Sequence, residues 1–91
     1  MYNIKAYTKT QAKLLGVQVK PSTNSKKKID VYKDDKKIVS IGAKGYGDYP
    51  TFLETKGKTY ADSRRKLYKL RHFKDRTKPN TAGFYADKLL W

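Results

Sequence analysis

Few side chains in this sequence have the types and spacing that chemistry needs, and most of those that do are cations. His72 is the only histidine and there is no cysteine, so a zinc site has no thiolate and no second imidazole to use. Asp48, Glu54 and Asp62 are scattered, and only folding could gather them. Ser63 and His72 lack both a third partner and a pocket, which a nucleophile and its base require. The stretch SIGAKGYGDYPTF, residues 40–52, spaces Gly42, Gly45 and Gly47 as G-x-x-G-x-G. No Lys-Ser/Thr follows the last glycine, so this is neither a phosphate-binding loop nor a dinucleotide fingerprint. The glycines are expected to turn the chain sharply out of a strand. Tyr46 and Tyr49 either pack over a sheet or stack on bases, and Lys44 beside Tyr46 offers a phosphate contact. These residues supply no catalytic group, no metal site and no cofactor site, and they predict a protein that is not an enzyme.

Charge is the dominant signal. The 91 residues carry 22 Lys and Arg against 8 Asp and Glu, a formal net charge of +14, and the pI is about 10.0. Such an excess opposes compaction and draws polyanions: nucleic acid, an acidic protein surface, or an anionic membrane. Much of it lies in TYADSRRKLYKLRHFKD, residues 59–75. At helical spacing Tyr60, Leu67 and Leu70 share one face, with Ser63 between them. Arg65, Lys69, His72 and Arg76 follow one another on the opposite side, and Arg64, Arg71 and Lys74 flank the apolar one. Asp62 and Asp75 cannot neutralise so many cations. Arginine forks grip phosphates bidentately and lysines add unspecific charge. Lys26, Lys27 and Lys28 form a second region of the phosphate-positioning kind. The candidate nucleic-acid-binding residues are therefore Lys26, Lys27, Lys28, Lys44, Tyr46, Arg64, Arg65, Lys69, Arg71, His72 and Arg76. Arg65, Lys69 and Arg76 are expected to face water, so replacing all three by Gln should weaken binding and leave the fold intact.

The elements that must position these groups follow from pattern. Thr8 and Gln11 fit a capping box opening a short helix, Ala12, Leu14 and Leu15 give it an apolar side, and Gly16 suits its left-handed stop. Residues 17–20 alternate as a strand, and Pro21 ends it. Residues 28–41 read as a hairpin with Asp34-Asp35 at the tip. Pairing about that tip puts Ile29, Val31 and Ile38 on one face, and Tyr32, Val39 and Ile41 on the other. Asp-Asp is a poorer tip than Asp-Gly, because the second position prefers φ > 0, which leaves room for a longer, looser turn. Pro50 suits the first turn of a helix. The basic helix runs from Thr59 until TKPNTAG breaks it. FYADKLLW then supplies a second apolar turn or helix whose Leu89, Leu90 and Trp91 are expected to complete the core.

The fold class is thus α+β: a small antiparallel sheet (hairpin 28–41 plus strand 17–20) packed with a long basic C-terminal helix and a short N-terminal helix, in one domain over 1–91. With 37% hydrophobic residues and a mean hydropathy of −0.90, the core must be economical, and the eight Tyr supply much of it. The N-terminus has no apolar signal-peptide region, and no run is long enough to cross a bilayer.

Three segments, IGAKGYGDYPTF, RRKLYKLRHFKDR and GFYADKLLW, together resemble small basic proteins of large DNA viruses, including algal and amoebal giant viruses. The resemblance covers about Tyr7 to Trp91, and it departs at the hairpin tip, where relatives often carry glycine. It implies a viral setting, in the virion or the infected host cell, and no catalytic residues. The combined expectation is a non-enzymatic nucleic-acid-binding protein that contacts phosphates, of DNA above all, through a basic helix. The alternatives are a minor capsid or cement protein whose lysines meet acidic surfaces of virion proteins, and an RNA-binding or ribosome-associated factor.

Overall fold

The computed structural model describes residues 2–74 and 76–91; Asp75, counted above among the few neutralising carboxylates, lies outside them. Its elements run α1 (Ala6–Leu15), β1 (Gln18–Pro21), β2 (Lys27–Lys33), β3 (Lys36–Ala43), α2 (Tyr49–Thr55), α3 (Lys58–Arg71) and α4 (Ala82–Leu90). The fold is α+β, with one antiparallel sheet in the order β1-β2-β3.

The hairpin turn is tight. Lys33 pairs with Lys36, and both residues between them are left-handed, Asp34 at φ 53° and Asp35 at φ 65°. Aspartate tolerates this region better than most side chains, so the expected Asp34-Asp35 tip forms as a two-residue turn, without glycine and without a longer loop. A bulge between Val31 and Tyr32 then shifts the register. Below it Val31 pairs with Val39 and Ile29 with Ile41. A one-residue shift exchanges the faces of a strand. Val39 and Ile41 therefore share a face with Ile29 and Val31, which corrects the pairing drawn from the tip alone, and Ile38, at the bulge, is part-buried against the same core.

Helix α1 starts two residues before the expected capping box. Its N-cap is Lys5, with no side-chain cap. Thr8 is instead fully buried, and its hydroxyl donates to the Leu89 carbonyl at 2.8 Å, tying α1 to α4. Gly16 closes the helix at φ 72°. Asp48 caps α2, accepting from the Thr51 backbone N–H at 3.0 Å, with Pro50 in the first turn.

The core joins Ala12 and Val17, the sheet residues Ile29, Val31 and Ile41, and Tyr85, Leu89 and Leu90 of α4. The end of the chain thus completes the core, as expected. Helix α4 lies along β3 and against α1, while α3 leans on α2. Trp91, part-buried, connects these two halves by stacking on Tyr68 with centroids 4.5 Å apart and planes 9° from parallel.

Candidate nucleic-acid interface

Helix α3 is turned about its axis relative to the expected orientation. Ala61 and Tyr68 are its buried residues. Tyr60, Leu67 and Leu70, the expected core face, are 43%, 47% and 66% exposed. The side carrying Arg65 and Lys69 points into the protein. The Arg65 guanidinium lies 3.4 Å from the centroid of the Tyr49 ring and donates to the Tyr7 hydroxyl at 3.2 Å. Lys69 Nζ is 2.6 Å from Oδ1 of the buried Asp87. Arg76 Nε donates to the Lys69 carbonyl at 3.2 Å, past the end of the helix. Arg65 and Lys69 thus hold the fold together, because aromatic faces and a buried carboxylate far away in sequence stabilise them better than their own helix neighbours could. Arg76 folds back on the end of its own helix, so the three do not form a solvated stripe.

Lys28 is also committed. Its ammonium is buried and 2.9 Å from Asp48 Oδ2, to which the Tyr2 hydroxyl also donates at 2.7 Å. Burial pushes the Asp48 carboxyl up, but the hydrogen bonds from Lys28, Thr51 and Tyr2 outweigh it and hold the group below the usual carboxylate range. Burial and the bond to Asp48 push the Tyr2 phenol well up. Folding does not gather the other scattered carboxylates, which are each paired separately: Glu54 with Lys5 at 2.7 Å and Asp62 with Lys58 at 2.6 Å. Among the described residues no group of three His, Cys, Asp or Glu converges on a point.

The remaining candidates come together. Between β3, α3 and α4 lie two adjoining hollows of about 440 and 410 Å³, which share Gly42, Tyr68, His72 and Ala86 along their common wall. The first has Lys27 and Lys78 on its rim. Arg64 and Arg71 stand on the rim of the second, with Tyr46 beside them, and that tyrosine is 75% exposed. Aromatic rings line the passage: His72 stacks on Tyr68 at 4.4 Å, Tyr68 on Trp91, and Phe52 meets Trp91 at 6.1 Å. Asp48 is the carboxylate in this lining, and Lys28 neutralises it. At the adjacent end of the sheet, the Lys44 backbone N–H donates to the Lys26 carbonyl at 3.0 Å, so two exposed lysines sit opposite each other beside Lys27.

No family model, curated protein or solved structure matches the chain.

Local chemistry explains the shape. Gly42 sits at φ 78°, and a Cβ there would come within 2.8 Å of Leu90 Cδ1. A Cβ on Gly47 would run into the Phe52 ring. The glycines thus allow the strand end and the following turn to lie close over α4 and α2, which answers the choice between a phosphate cradle and a packed connection in favour of packing. Tyr49 packs inside, beneath Arg65, while Tyr46 stays out at the groove. Lys26, Lys27, Lys44, Tyr46, Arg64, Arg71 and His72 line or adjoin one basic aromatic groove, whereas Lys28, Arg65 and Lys69 serve the interior and Arg76 binds the Lys69 carbonyl at the end of α3. Sequence reasoning missed Lys78, Phe52, Tyr68 and Trp91. Lys78 lies in the helix-breaking segment, where no periodicity marks it, and nothing in the pattern separates rings that line a groove from rings that only pack.

Proposed function

We propose that this protein binds single-stranded nucleic acid along the groove between β3, α3 and α4, without catalysing a reaction. The observation that carries this reading is the coincidence of cations on the rim with stacked rings along the passage. Proteins that hold single strands combine a positive groove, which follows the phosphates, with aromatic faces on which bases stack. A duplex hides its base faces, so Tyr46 and Trp91 favour an unpaired strand, whereas a purely electrostatic surface would not discriminate. The phosphate contacts are made by Lys27, Arg71 and Lys78, with Arg64, Lys26 and Lys44 alongside. The large-virus setting belongs to the same proposal and is supported by the resemblance of the three segments.

The test is salt-dependent binding of the protein to single-stranded DNA, single-stranded RNA and duplex DNA of equal length. Lys27→Gln, Arg71→Gln and Lys78→Gln combined should flatten the log–log salt slope for single strands by about 2 units, at roughly 0.7 per phosphate contact. Tyr46→Ala should weaken single strands by about 1–3 kcal/mol per stacked base and change duplex binding little. An unchanged slope in the triple variant, or equal losses for duplex and single strand on removing Tyr46, would remove this groove as the site.

A further inference from the structure

The outward face of α3 carries exposed leucines, Leu67 and Leu70, beyond Tyr60, which meets the Phe52 ring edge-on. Tyr60, Ser63, Leu67 and Leu70 occur at intervals of three and four residues, the spacing of a and d positions in a coiled coil. Leu70 is 66% exposed and Phe73, just beyond the helix, is 63% exposed. Neither leucine lines the groove described above. The helix spans 14 residues, about 21 Å at 1.5 Å per residue, enough for two heptads of contact. Exposed leucines repeated along one helix mark an interaction surface more than a solvated one.

Charge says what that surface fits. Lys66 and Arg71 flank the leucines on either side, and Lys74 continues the a-type row after Leu67; all three are exposed. The carboxylate of α3 itself, Asp62, is turned away to Lys58 and the Tyr49 hydroxyl. Charges that flank an a/d seam choose the partner. A second copy of this chain would set Lys66, Arg71 and Lys74 against their own kind, and a net charge of +14 against itself. We propose that the outer face of α3 docks an acidic amphipathic helix of another protein, with leucines or similar residues against Leu67 and Leu70 and Glu or Asp beside Lys66 and Lys74. Arg71 stands at the border and belongs to the groove, whereas Lys66, Leu67, Leu70 and Lys74 do not line it, so the protein can hold a strand on one side of α3 and an acidic partner on the other.

The experiment measures binding of the intact protein to a synthetic helix of about three heptads, Leu at a and d and Glu at e and g. Comparison ligands are the same peptide with Gln at e and g, poly-glutamate, and phosphatidylserine vesicles. The Leu/Glu peptide should bind best, and Leu67→Gln with Leu70→Gln should weaken it about tenfold or more. Lys66→Gln with Lys74→Gln should weaken it and reduce its salt dependence. Both variants alter exposed side chains and should melt like the parent, and the leucine variant should keep its single-strand affinity. The proposal is overturned if poly-glutamate binds as well as the peptide, or if the Gln-flanked peptide does. Leucine-dependent binding of vesicles in place of the peptide, or leucine-dependent dimerisation in sedimentation, overturns it equally.

Discussion

Asp48 does four things with one carboxylate: it caps α2, holds the buried Lys28, accepts the Tyr2 hydroxyl, and anchors the turn beside the groove. Removing one member of a buried pair leaves the other charged and unmatched, at a cost of about 3 kcal/mol or more. Asp48→Asn should therefore lower the melting temperature markedly at neutral pH. Asp30 is held low in the same way: burial raises it, and the Ser22 and Ser40 hydroxyls with the Thr23 backbone N–H outweigh that. Because both carboxylates titrate lower folded than unfolded, their contribution is complete above the unfolded value of about 3.9 and is lost as pH falls through the folded values. Thermal melts should be flat in this respect from about pH 7 to 5 and fall below about pH 4, with a shallower acid decline in Asp48→Asn. At Gly42, alanine would meet both a left-handed backbone and the buried Leu90 side chain. Gly42→Ala should destabilise by about 1–3 kcal/mol in denaturant melts, while the folded fraction still binds single strands with little change.

At the scale of elements, the sequence foretold which segments are helix and strand far better than which way they face. Gly16, Pro21 and Pro50 punctuate the chain locally, so their consequences could be read locally, whereas Gly83, expected to help break the basic helix, lies inside α4, and α3 already ends at Arg71. The bulge at Val31/Tyr32 could not, because nothing in IDVYKDDKKIVSIG marks where an extra residue is accommodated, and one residue exchanges the faces of β3. Helix α3 misled for a related reason. Counting leucines placed Leu67 and Leu70 inside, whereas the interior is set by Ala61 and Tyr68 together with cations whose partners are Tyr7, Tyr49 and Asp87. Those partners are distant in sequence, and no periodicity within the helix points to them. The groove was legible in its ingredients and not in its assembly: seven of the expected side chains line or adjoin it, and four were claimed by the fold. The consequence is measurable. Lys69→Met would leave the buried Asp87 carboxylate with Lys88 alone, 3.9 Å from its other oxygen, and should cost roughly 2 kcal/mol in denaturant melts. Lys66→Met, one turn away and exposed, should stay within about 0.5 kcal/mol of the parent. Equal effects at the two lysines would mean that α3 faces the other way.

At the scale of the molecule, a short chain with few aliphatics must fold against the self-repulsion of its own cations. It does so by bringing its last helix into the middle. Leu89 and Leu90 are essentially inaccessible, the Leu89 carbonyl receives the Thr8 hydroxyl, and Trp91 joins the two halves across Tyr68. Each buried leucine reduced to alanine costs about 2–5 kcal/mol, because burial is lost and a cavity remains. Two together approach the entire net stability of a small domain, about 5–15 kcal/mol. Leu89→Ala with Leu90→Ala should therefore yield a chain without a cooperative thermal transition and with a weak near-ultraviolet circular dichroism signal. The same exchange at Leu14 and Leu70, both exposed, should leave the transition within a few degrees of the parent. Added salt supplies the decisive comparison. Screening relieves repulsion between cations, so moderate salt should raise the melting temperature of the parent while weakening its hold on nucleic acid. The same salt should not restore cooperativity to the double variant, whose deficit is apolar. Recovery of a cooperative transition in salt alone would mean that charge, and not the closing leucines, limits the stability of this fold.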